Sequence, residues 1–209
     1  MSEKRGFFLT IEGVEGAGKS TLAEALAGHL TKQGLEVVVT AEPGGDPVSE
    51  RIRRLLLDSV DSVSDRAELL LFEASRAQHV DATILPALKR GAMVICDRFA
   101  DSSLAYQGYA RGIERDTVAR LNDYATQSLK PDLTILLDVS SRIGLQRQRK
   151  TDRISSESTA FHVAVREGYL AIAKDEPERF TVIDASQSLD EVLRLAVEVV
   201  EARLAARRA

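Results

Sequence analysis

The segment that most constrains the fold of this 209-residue chain is a glycine-rich loop at residues 13–20, with the sequence GVEGAGKS. It fits the pattern GxxxxGK[ST], follows an apolar run at residues 7–11 and opens onto a stretch with apolar residues at helical spacing. Between a strand and a helix, such glycines let backbone N–H groups converge on phosphate oxygens, and the helix N-terminus adds partial positive charge. The alternative is a glycine-rich turn without a ligand. We predict a phosphate-binding loop.

Two side chains of this loop have a direct use in nucleotide chemistry. Lys19 can reach the β- and γ-phosphates of a nucleotide, and the hydroxyl of Ser20 can ligate Mg²⁺. We therefore expect a nucleotide at this loop, with a magnesium ion beside its phosphates.

Short apolar runs alternate with helical patterns along the whole chain. The runs cover residues 7–11, 35–40, 93–96, 133–138 and 180–183. Such nearly continuous runs are typical of parallel strands buried on both faces. Helical periodicity covers residues 19–32, 48–57, 67–89, 116–129, 140–149, 161–174 and 189–206. We predict a three-layer α/β fold, with a five-stranded parallel sheet flanked by helices, as a single domain over residues 1–209.

Composition argues against several classes of partner. The net charge is −4, whereas surfaces that bind a nucleic-acid backbone are usually basic. No segment approaches the roughly 18 apolar residues of a membrane span, and the N-terminus shows no signal-peptide pattern. The single cysteine, Cys96, sits in an apolar run, which suits a reducing cytosol. We expect a cytoplasmic protein without a nucleic-acid or membrane partner.

Unusual residues follow three of the predicted strands. The first strand ends in the phosphate loop, the second in the sequence EPGG at residues 42–45, and the third in Asp97 and Arg98. Ligands of parallel α/β sheets bind at the carboxyl ends of strands. There, Asp97 suits a Mg²⁺-bound water or an acceptor group, and Arg98 suits a bidentate bond to a second phosphate. An ordinary salt bridge at the strand end is the alternative.

Two further segments have the side chains needed to recognise a sugar and a base. Residues 101–109 combine hydroxyls, a phenol and an amide, although Asp101 or Ser102 would also serve as a helix N-cap. Phe72 and Arg76 lie four residues apart on one predicted helix face, where they suit stacking and hydrogen bonding to a planar base. A core position for Phe72 and a surface charge for Arg76 are the alternatives.

A polar stretch at about residues 147–159 lacks apolar periodicity and predicts a mobile surface loop. Loops of this length are often functional lids. Its basic residues are Arg147, Arg149, Lys150 and Arg153. By composition alone these charges also suit a solvated loop.

Taken in order, the segments GVEGAGKS, EPGG, LFEASR, CDRF and DSSLAYQGYARGI closely resemble bacterial thymidylate kinases, and the resemblance covers nearly the whole chain. It implies a P-loop NTPase fold with a mobile lid. It also implies transfer of the γ-phosphoryl group of MgATP to the 5′-phosphate of dTMP, which gives dTDP and ADP for dTTP biosynthesis. A homodimer is implied as well.

The resemblance also implies roles for individual residues. The implied ATP-binding residues are Gly13, Val14, Glu15, Gly16, Ala17, Gly18, Lys19, Ser20 and Thr21. The implied dTMP-binding residues are Glu15, Glu42, Arg53, Phe72, Arg76, Arg98, Ser103, Tyr106 and Gln107. In this set, Arg53 and Arg98 would bind the phosphate and Glu15 the 3′-hydroxyl. Phe72 would stack on thymine and Arg76 would donate to its O4 atom.

The remaining implied roles concern the sugar, the metal and the transferring group. Ser103 and Gln107 would meet the rest of the base edge, and Tyr106 would disfavour a ribose hydroxyl. Ser20 and Asp97 would serve the Mg²⁺ shell. The implied catalytic residues are Lys19, Arg98, Arg149 and Arg153.

Two positions place the chain within this family. One class has an arginine inside the phosphate loop; the matching residue here is Gly16, so the chain resembles the class that supplies basic residues from the lid. Many bacterial members have an arginine immediately before EPGG, whereas this chain has Ala41. We expect Arg53 and Arg98 to bind the acceptor phosphate without it.

Three other functions compete with this interpretation. A deoxynucleoside kinase would phosphorylate a neutral hydroxyl and would not need Arg53 together with Arg98. A GTPase switch would need an Asn-Lys-x-Asp motif and Asp-x-x-Gly after the third strand, and the chain has neither there. A non-catalytic nucleotide-binding regulator would bind ATP without releasing ADP when dTMP is added.

Overall fold

The computed structural model describes residues 5–58, 62–148 and 152–208. The strands are β1 (Phe8–Glu12), β2 (Val37–Ala41), β3 (Met93–Asp97), β4 (Leu133–Asp138) and β5 (Phe180–Asp184). They form one parallel sheet in the order β2-β3-β1-β4-β5. The predicted α/β architecture and its five parallel strands are confirmed.

Helices connect the strands and cover both faces of the sheet. They are α1 (Lys19–Lys32), α2 (Pro47–Leu57), α3 (Asp65–His79), α4 (Leu85–Lys89), α5 (Ala100–Ser103), α6 (Arg115–Thr126), α7 (Ser141–Arg147), α8 (Thr159–Asp175) and α9 (Leu189–Arg208). Two π-helical segments, Val80–Ile84 and Leu104–Ala110, continue α3 and α5. The helix predicted at residues 67–89 is therefore interrupted, and the helical path through residues 100–110 was predicted only as a helix start.

Strand β1 lies at the centre of the core and is buried along its whole length. Its side chains alternate between the two faces of the sheet. Leu9 and Ile11 pack into the larger core cluster together with α1, α8 and α9, whereas Phe8 packs with the π-helical segment Val80–Ile84 and α4. Burying an apolar side chain of this size contributes about 1.5–3 kcal/mol, so both faces stabilise the sheet.

The register of the sheet brings three strand ends together. Ile11 of β1 and Ala41 of β2 both pair with Asp97 of β3. The phosphate loop, the 42–45 segment and Arg98 therefore leave the sheet at one edge, as predicted from the carboxyl-end rule. Within the described ranges, no helix is long and apolar enough to cross a membrane.

Candidate active site

Glycine is required at two positions of the loop between β1 and α1. Gly16 has φ +67°, and a Cβ atom there would lie 1.9 Å from the carbonyl oxygen of Gly144. Gly13 has φ +142°, and a Cβ atom there would lie 2.6 Å from the carbonyl oxygen of Leu137. The loop is thus packed against the end of β4 and against α7. Helix α1 begins after Gly18 without a side-chain cap, so its first N–H groups are available to an anion.

Lys19 is buried beneath this loop. Its Nζ atom donates to the carbonyl oxygen of Val14 at 2.9 Å. Burial and the nearby positive charge of Arg98 lower the pKa of Lys19 to about 8, against the opposing effect of Asp97 and other carboxylates. An incoming phosphate would stabilise the charged ammonium group, so this lysine suits an anionic ligand.

Ser20 and Asp97 form a pair of oxygen ligands beside the loop. The Ser20 hydroxyl donates to Asp97 Oδ2 at 2.5 Å. Asp97 is the last residue of β3, and Ser20 is in the first turn of α1. Hard oxygen atoms are the ligands that Mg²⁺ prefers, with substrate phosphates and water completing its shell. The donor set therefore fits the predicted magnesium ion.

A donor cavity lies over the loop and α1. Its described lining residues are Gly16, Ala17, Gly18, Lys19, Ser20, Thr21, Leu137, Arg147, Ala185, Gln187, Leu189 and Val192. The loop residues supply polar groups, and the leucines and valine supply apolar surface suited to a flat base. Arg147 donates to the carbonyl oxygen of Ala185 at 2.8 Å across this cavity wall. The loop residues were predicted from the sequence. The apolar side chains of Leu137, Leu189 and Val192 were not, because they belong to segments far from the loop in sequence.

An acceptor cavity lies beside the loop, next to α2, α3 and α5. Its described lining residues are Glu15, Glu42, Pro43, Arg53, Leu57, Phe72, Arg98, Ser102, Ser103, Tyr106, Gln107, Asp152 and Ile154. Of the predicted acceptor residues, all except Arg76 are in this set. The structure thus brings most of the predicted set to one cavity, and their individual contacts with a ligand stay predictions.

Arg76 lies behind the wall of the acceptor cavity and is 1% exposed. Its Nε atom donates to Glu42 at 2.7 Å, and Nη1 donates to Glu73 at 2.6 Å and to Ser103 at 2.9 Å. Burial opposes its charge, but Glu73 and Glu42 raise the pKa of Arg76 above its usual value. The alternative of a surface charge is wrong. Its Nη2 atom carries two N–H groups, one of which donates to the carbonyl oxygen of Phe99 at 3.1 Å, and donation from Arg76 to a base stays a prediction.

Arg98 is held in an unusual conformation at the end of β3. Its φ is +71°, in the left-handed region, which costs a residue with a Cβ atom about 1–2 kcal/mol. This conformation turns the guanidinium group into the acceptor cavity, where Nη2 donates to Glu15 at 3.0 Å and Nη1 donates to the Tyr169 hydroxyl at 3.1 Å. The group also lies 5.0 Å from the ring centroid of Tyr106.

Glu15 links the phosphate loop to the acceptor cavity. Burial alone would raise the pKa of Glu15, but Arg98, His162 and Lys19 outweigh it and hold that pKa well below the usual range. The Tyr106 hydroxyl also donates to Glu15 Oε1 at 2.5 Å. Glu15 is therefore a carboxylate at neutral pH and an acceptor for donors on either side.

A buried carboxyl group beneath the loop was not identified from the sequence. Glu12 Oε1 accepts from the backbone N–H of Phe99 at 2.7 Å, and Oε2 accepts from Ser102 at 2.7 Å and from Tyr169 at 2.9 Å. Burial, together with the negative charge of Asp101, raises the pKa of Glu12 to about 7. A carboxylate ending an apolar strand was the available signal for Glu12, whereas nothing in the sequence pointed to Tyr169 of α8.

The described part of the predicted lid is packed against the acceptor cavity. Ile154 and Ser155 are buried, so the expectation of a surface loop is wrong for these residues. Arg153 donates from Nε to the carbonyl oxygen of Leu56 at 2.9 Å and lies 2.7 Å from Glu68 Oε2. Arg149 and Lys150, two of the predicted lid cations, lie outside the described residues.

Comparison with known proteins gives one consistent family. The family model described as thymidylate kinase matches residues 11–196. A thymidylate kinase of Geotalea uraniireducens is 48% identical over 210 residues, covering 96% of this chain and 99% of that protein. One of Desulfovibrio desulfuricans is 48% identical over 208 residues, covering 94% and 96%. A crystal structure of thymidylate kinase from Ehrlichia chaffeensis superposes with a TM-score of 0.80 at 34% identity, covering 94% of this chain and 99% of that one.

Proposed function

Because this chain belongs to the thymidylate kinase family, which phosphorylates dTMP to dTDP, we propose that its donor cavity binds MgATP and its acceptor cavity binds dTMP. The observation that carries this assignment is the junction of the two cavities at one loop. Residues 16–21 line the donor cavity, and Glu15 with Arg98 lines the acceptor cavity. Two phosphate groups bound in these cavities would meet at that loop, which is the arrangement that phosphoryl transfer requires.

Charge compensation explains how the site would act on the two nucleotides. MgATP and dTMP together bring about six phosphate charges into one cleft, counted at neutral pH. Lys19 lies under the loop, and Arg53 and Arg98 line the acceptor cavity. The transition state of phosphoryl transfer is largely dissociative, so no strong general base is needed. Alignment of the two phosphates and stabilisation of charge on the transferring group would supply the rate enhancement.

The acceptor phosphate would bind between two arginines. Arg53 donates from Nη1 to the carbonyl oxygen of Pro43 at 2.6 Å, which holds its guanidinium group at the cavity wall. Arg98 is held there by Glu15 and Tyr169. Two preoriented guanidinium groups suit bidentate binding of a phosphate. This arrangement supports the expectation that the site functions with Ala41 in place of an arginine.

Packing at Gly16 supports assignment to the class with lid arginines. A side chain at this position would collide with the carbonyl oxygen of Gly144, so the loop has no space for an arginine there. A cation for the transferring group must then come from elsewhere, and Arg149 and Arg153 remain our candidates. Magnesium held near Ser20 and Asp97 would neutralise charge on the donor phosphates.

Tyr106 supports a preference for deoxyribose. Its hydroxyl is held by Glu15, and its ring lies against the guanidinium group of Arg98. A ring fixed from both sides cannot move away from a ribose 2′-hydroxyl placed against it. We propose that this steric restriction makes Tyr106 the group that disfavours a ribonucleotide.

We also propose a cytoplasmic homodimer that folds as one domain. The reduced, buried thiol of Cys96 supports the location. Val48 and Leu55 of α2 and Leu70 of α3 are large apolar side chains that are more than two-fifths exposed. Helices α2 and α3 pack on each other, and their outer surface is therefore suited to a second copy of this chain.

A coupled assay of ADP release tests the proposed function. Purified protein with Mg²⁺ and ATP should release ADP when dTMP is added and should not do so with thymidine. Turnover of thymidine in place of dTMP would favour a deoxynucleoside kinase. ATP binding without ADP release from any nucleoside monophosphate would favour a regulator and would refute the proposal.

A further inference from the structure

Glu68 of α3 is a fully buried carboxylate with several donors and no assigned role. Its Oε1 atom accepts from Gln107 Nε2 at 2.9 Å. Arg111 donates to both of its oxygens, at 3.2 and 3.1 Å, and Arg153 lies 2.7 Å from Oε2. Burial alone would raise the pKa of Glu68, but these donors lower it below its usual value. Glu68 is therefore ionised at neutral pH.

An ionised Glu68 determines which way the amide of Gln107 faces. A carboxylate only accepts hydrogen bonds, so Gln107 must direct its NH₂ group toward Glu68. This leaves Oε1 of Gln107 for the acceptor cavity, which Gln107 lines. Among the described residues, no hydrogen bond uses this oxygen. The cavity thus presents a hydrogen-bond acceptor at Gln107.

Arg76 determines the role of Ser103 in the same way. Because the guanidinium group of Arg76 only donates, Ser103 Oγ accepts at 2.9 Å and its own proton is left for another partner. Ser103 lies four residues before Gln107 and lines the same cavity. The pair therefore offers one donor beside one acceptor.

We propose that Glu68 is a positioning residue that makes the acceptor cavity selective for a keto pyrimidine over an amino pyrimidine. Thymine and uracil have a donor at N3 and an acceptor at O4, which complement Gln107 Oε1 and the Ser103 hydroxyl. Cytosine has an acceptor at N3 and a donor at N4, which would face groups of the same kind. The inference rests on the proposed binding of dTMP in this cavity.

The arrangement also connects base selection to the lid. Arg153 of the lid donates to the carbonyl oxygen of Leu56 in α2, and Glu157 lies 2.6 Å from Arg111 Nη2. Arg111 and Arg153 both contact Glu68. Glu157 therefore provides a matched control, because its substitution removes an ion pair of this cluster without removing the bond between Glu68 and Gln107.

The unmodified protein gives the first test. Steady-state kinetics would compare dTMP, dUMP, dCMP and N3-methyl-dTMP as acceptors. We expect kcat/KM for dCMP and for N3-methyl-dTMP to be at least a hundredfold below that for dTMP, since a site built to pair with a group discriminates strongly against its absence. N3-methyl-dTMP turnover within threefold of dTMP turnover would overturn the inference. Absence of turnover with dTMP itself would instead refute the proposed function.

Substitution of Glu68 gives the second test. In Glu68→Gln the new amide can donate to Gln107, so the Gln107 amide is free to turn. We expect kcat/KM for dTMP and dUMP to fall at least tenfold, mainly through KM, while dCMP falls less or rises. Glu157→Gln should keep the dTMP to dCMP ratio within threefold of the unmodified protein. An unchanged ratio in Glu68→Gln, or an equal change in Glu157→Gln, would contradict the proposed role. If Glu68→Gln does not fold, Glu68→Asp takes its place: a shorter side chain draws the carboxylate away from Gln107 Nε2, and an unchanged dTMP to dCMP ratio in this variant would likewise contradict the role.

Discussion

The pH dependence of stability should be governed in part by Glu12. Its carboxyl group is buried and its oxygens accept from Phe99, Ser102 and Tyr169. Glutamine has the shape of the protonated carboxyl group, with an oxygen for the Phe99 N–H and an NH₂ group that can donate to the two hydroxyls. We therefore expect Glu12→Gln to fold and to remove the titration of this site.

The size of the effect follows from the pKa shift. The pKa of Glu12 is raised from 4.5 to about 7, by burial first and by Asp101 second. Between these values the folded protein holds a proton that the unfolded chain has lost, so the free energy of unfolding falls as pH rises. At 1.36 kcal/mol per pKa unit, the loss is about 3 kcal/mol and is complete above pH 7. The stabilisation is fully present below pH 4.5.

Denaturant unfolding at several pH values between 4.5 and 8 measures this contribution. The free energy of unfolding of Glu12→Gln, relative to the unmodified protein, should rise by about 3 kcal/mol across this range. Glu24→Gln, at an exposed position of α1, is the control and should show no comparable trend. A difference that stays constant with pH, or one that falls toward pH 8, would refute the assignment of a raised pKa to Glu12.

Three further predictions concern the loop and the acceptor site. Gly16→Ala should lower the free energy of unfolding by about 2 kcal/mol or more and weaken ATP binding, because a Cβ atom would collide with Gly144. The control Gly28→Ala, at a position of α1 with open space for a Cβ atom, should leave stability unchanged or raise it. Denaturant unfolding measures stability and an ATP titration measures binding in each variant. Arg98→Lys should lower kcat/KM for dTMP by about 10–100-fold because lysine cannot bind phosphate in a bidentate way, and an effect below threefold would count against that contact. The value of kcat/KM for ATP should fall as pH rises through about 8, where Lys19 loses its proton; a profile flat to pH 9.5 would contradict this.

The sheet and the first helix could be predicted because their signals are local. Residues 133–138 form a nearly continuous apolar run that ends in Asp138, and they coincide with β4. Helix α1 has the predicted bounds because glycines at 18 and 34 flank it, both with positive φ. By contrast, the π-helical segment Leu104–Ala110 lies in a polar stretch without a clear period, and it was predicted as a set of pocket groups instead.

Residues of the acceptor cavity could be predicted from the sequence only where their type and their position after a strand indicated a role. Arg98 followed a strand beside a phosphate loop, and both features are visible in the sequence. Arg76 has its partners at Glu42, Ser103 and Asn122, which are 27 to 46 residues away, so its burial depends on tertiary packing. Asp152 also reaches the cavity from a distant segment, and no local pattern distinguishes it from other loop carboxylates.

Before a nucleotide binds, the cations of this site are already held by protein acceptors. Arg98 pairs with Glu15, and Lys19 donates to a carbonyl oxygen beneath the loop. A buried cation without a partner would be strongly destabilising, so these contacts let the site exist without its ligand. Burial and the nearby charge of Arg98 lower the pKa of Lys19, and the carbonyl oxygen that Lys19 contacts carries no full charge to offset them. Binding of a phosphate should raise the pKa of Lys19 again, since a nearby negative charge favours the charged form. Above pH 8, nucleotide binding should therefore be coupled to uptake of a proton. The group that takes up this proton would be Lys19, and the arginines of the acceptor cavity would stay charged throughout.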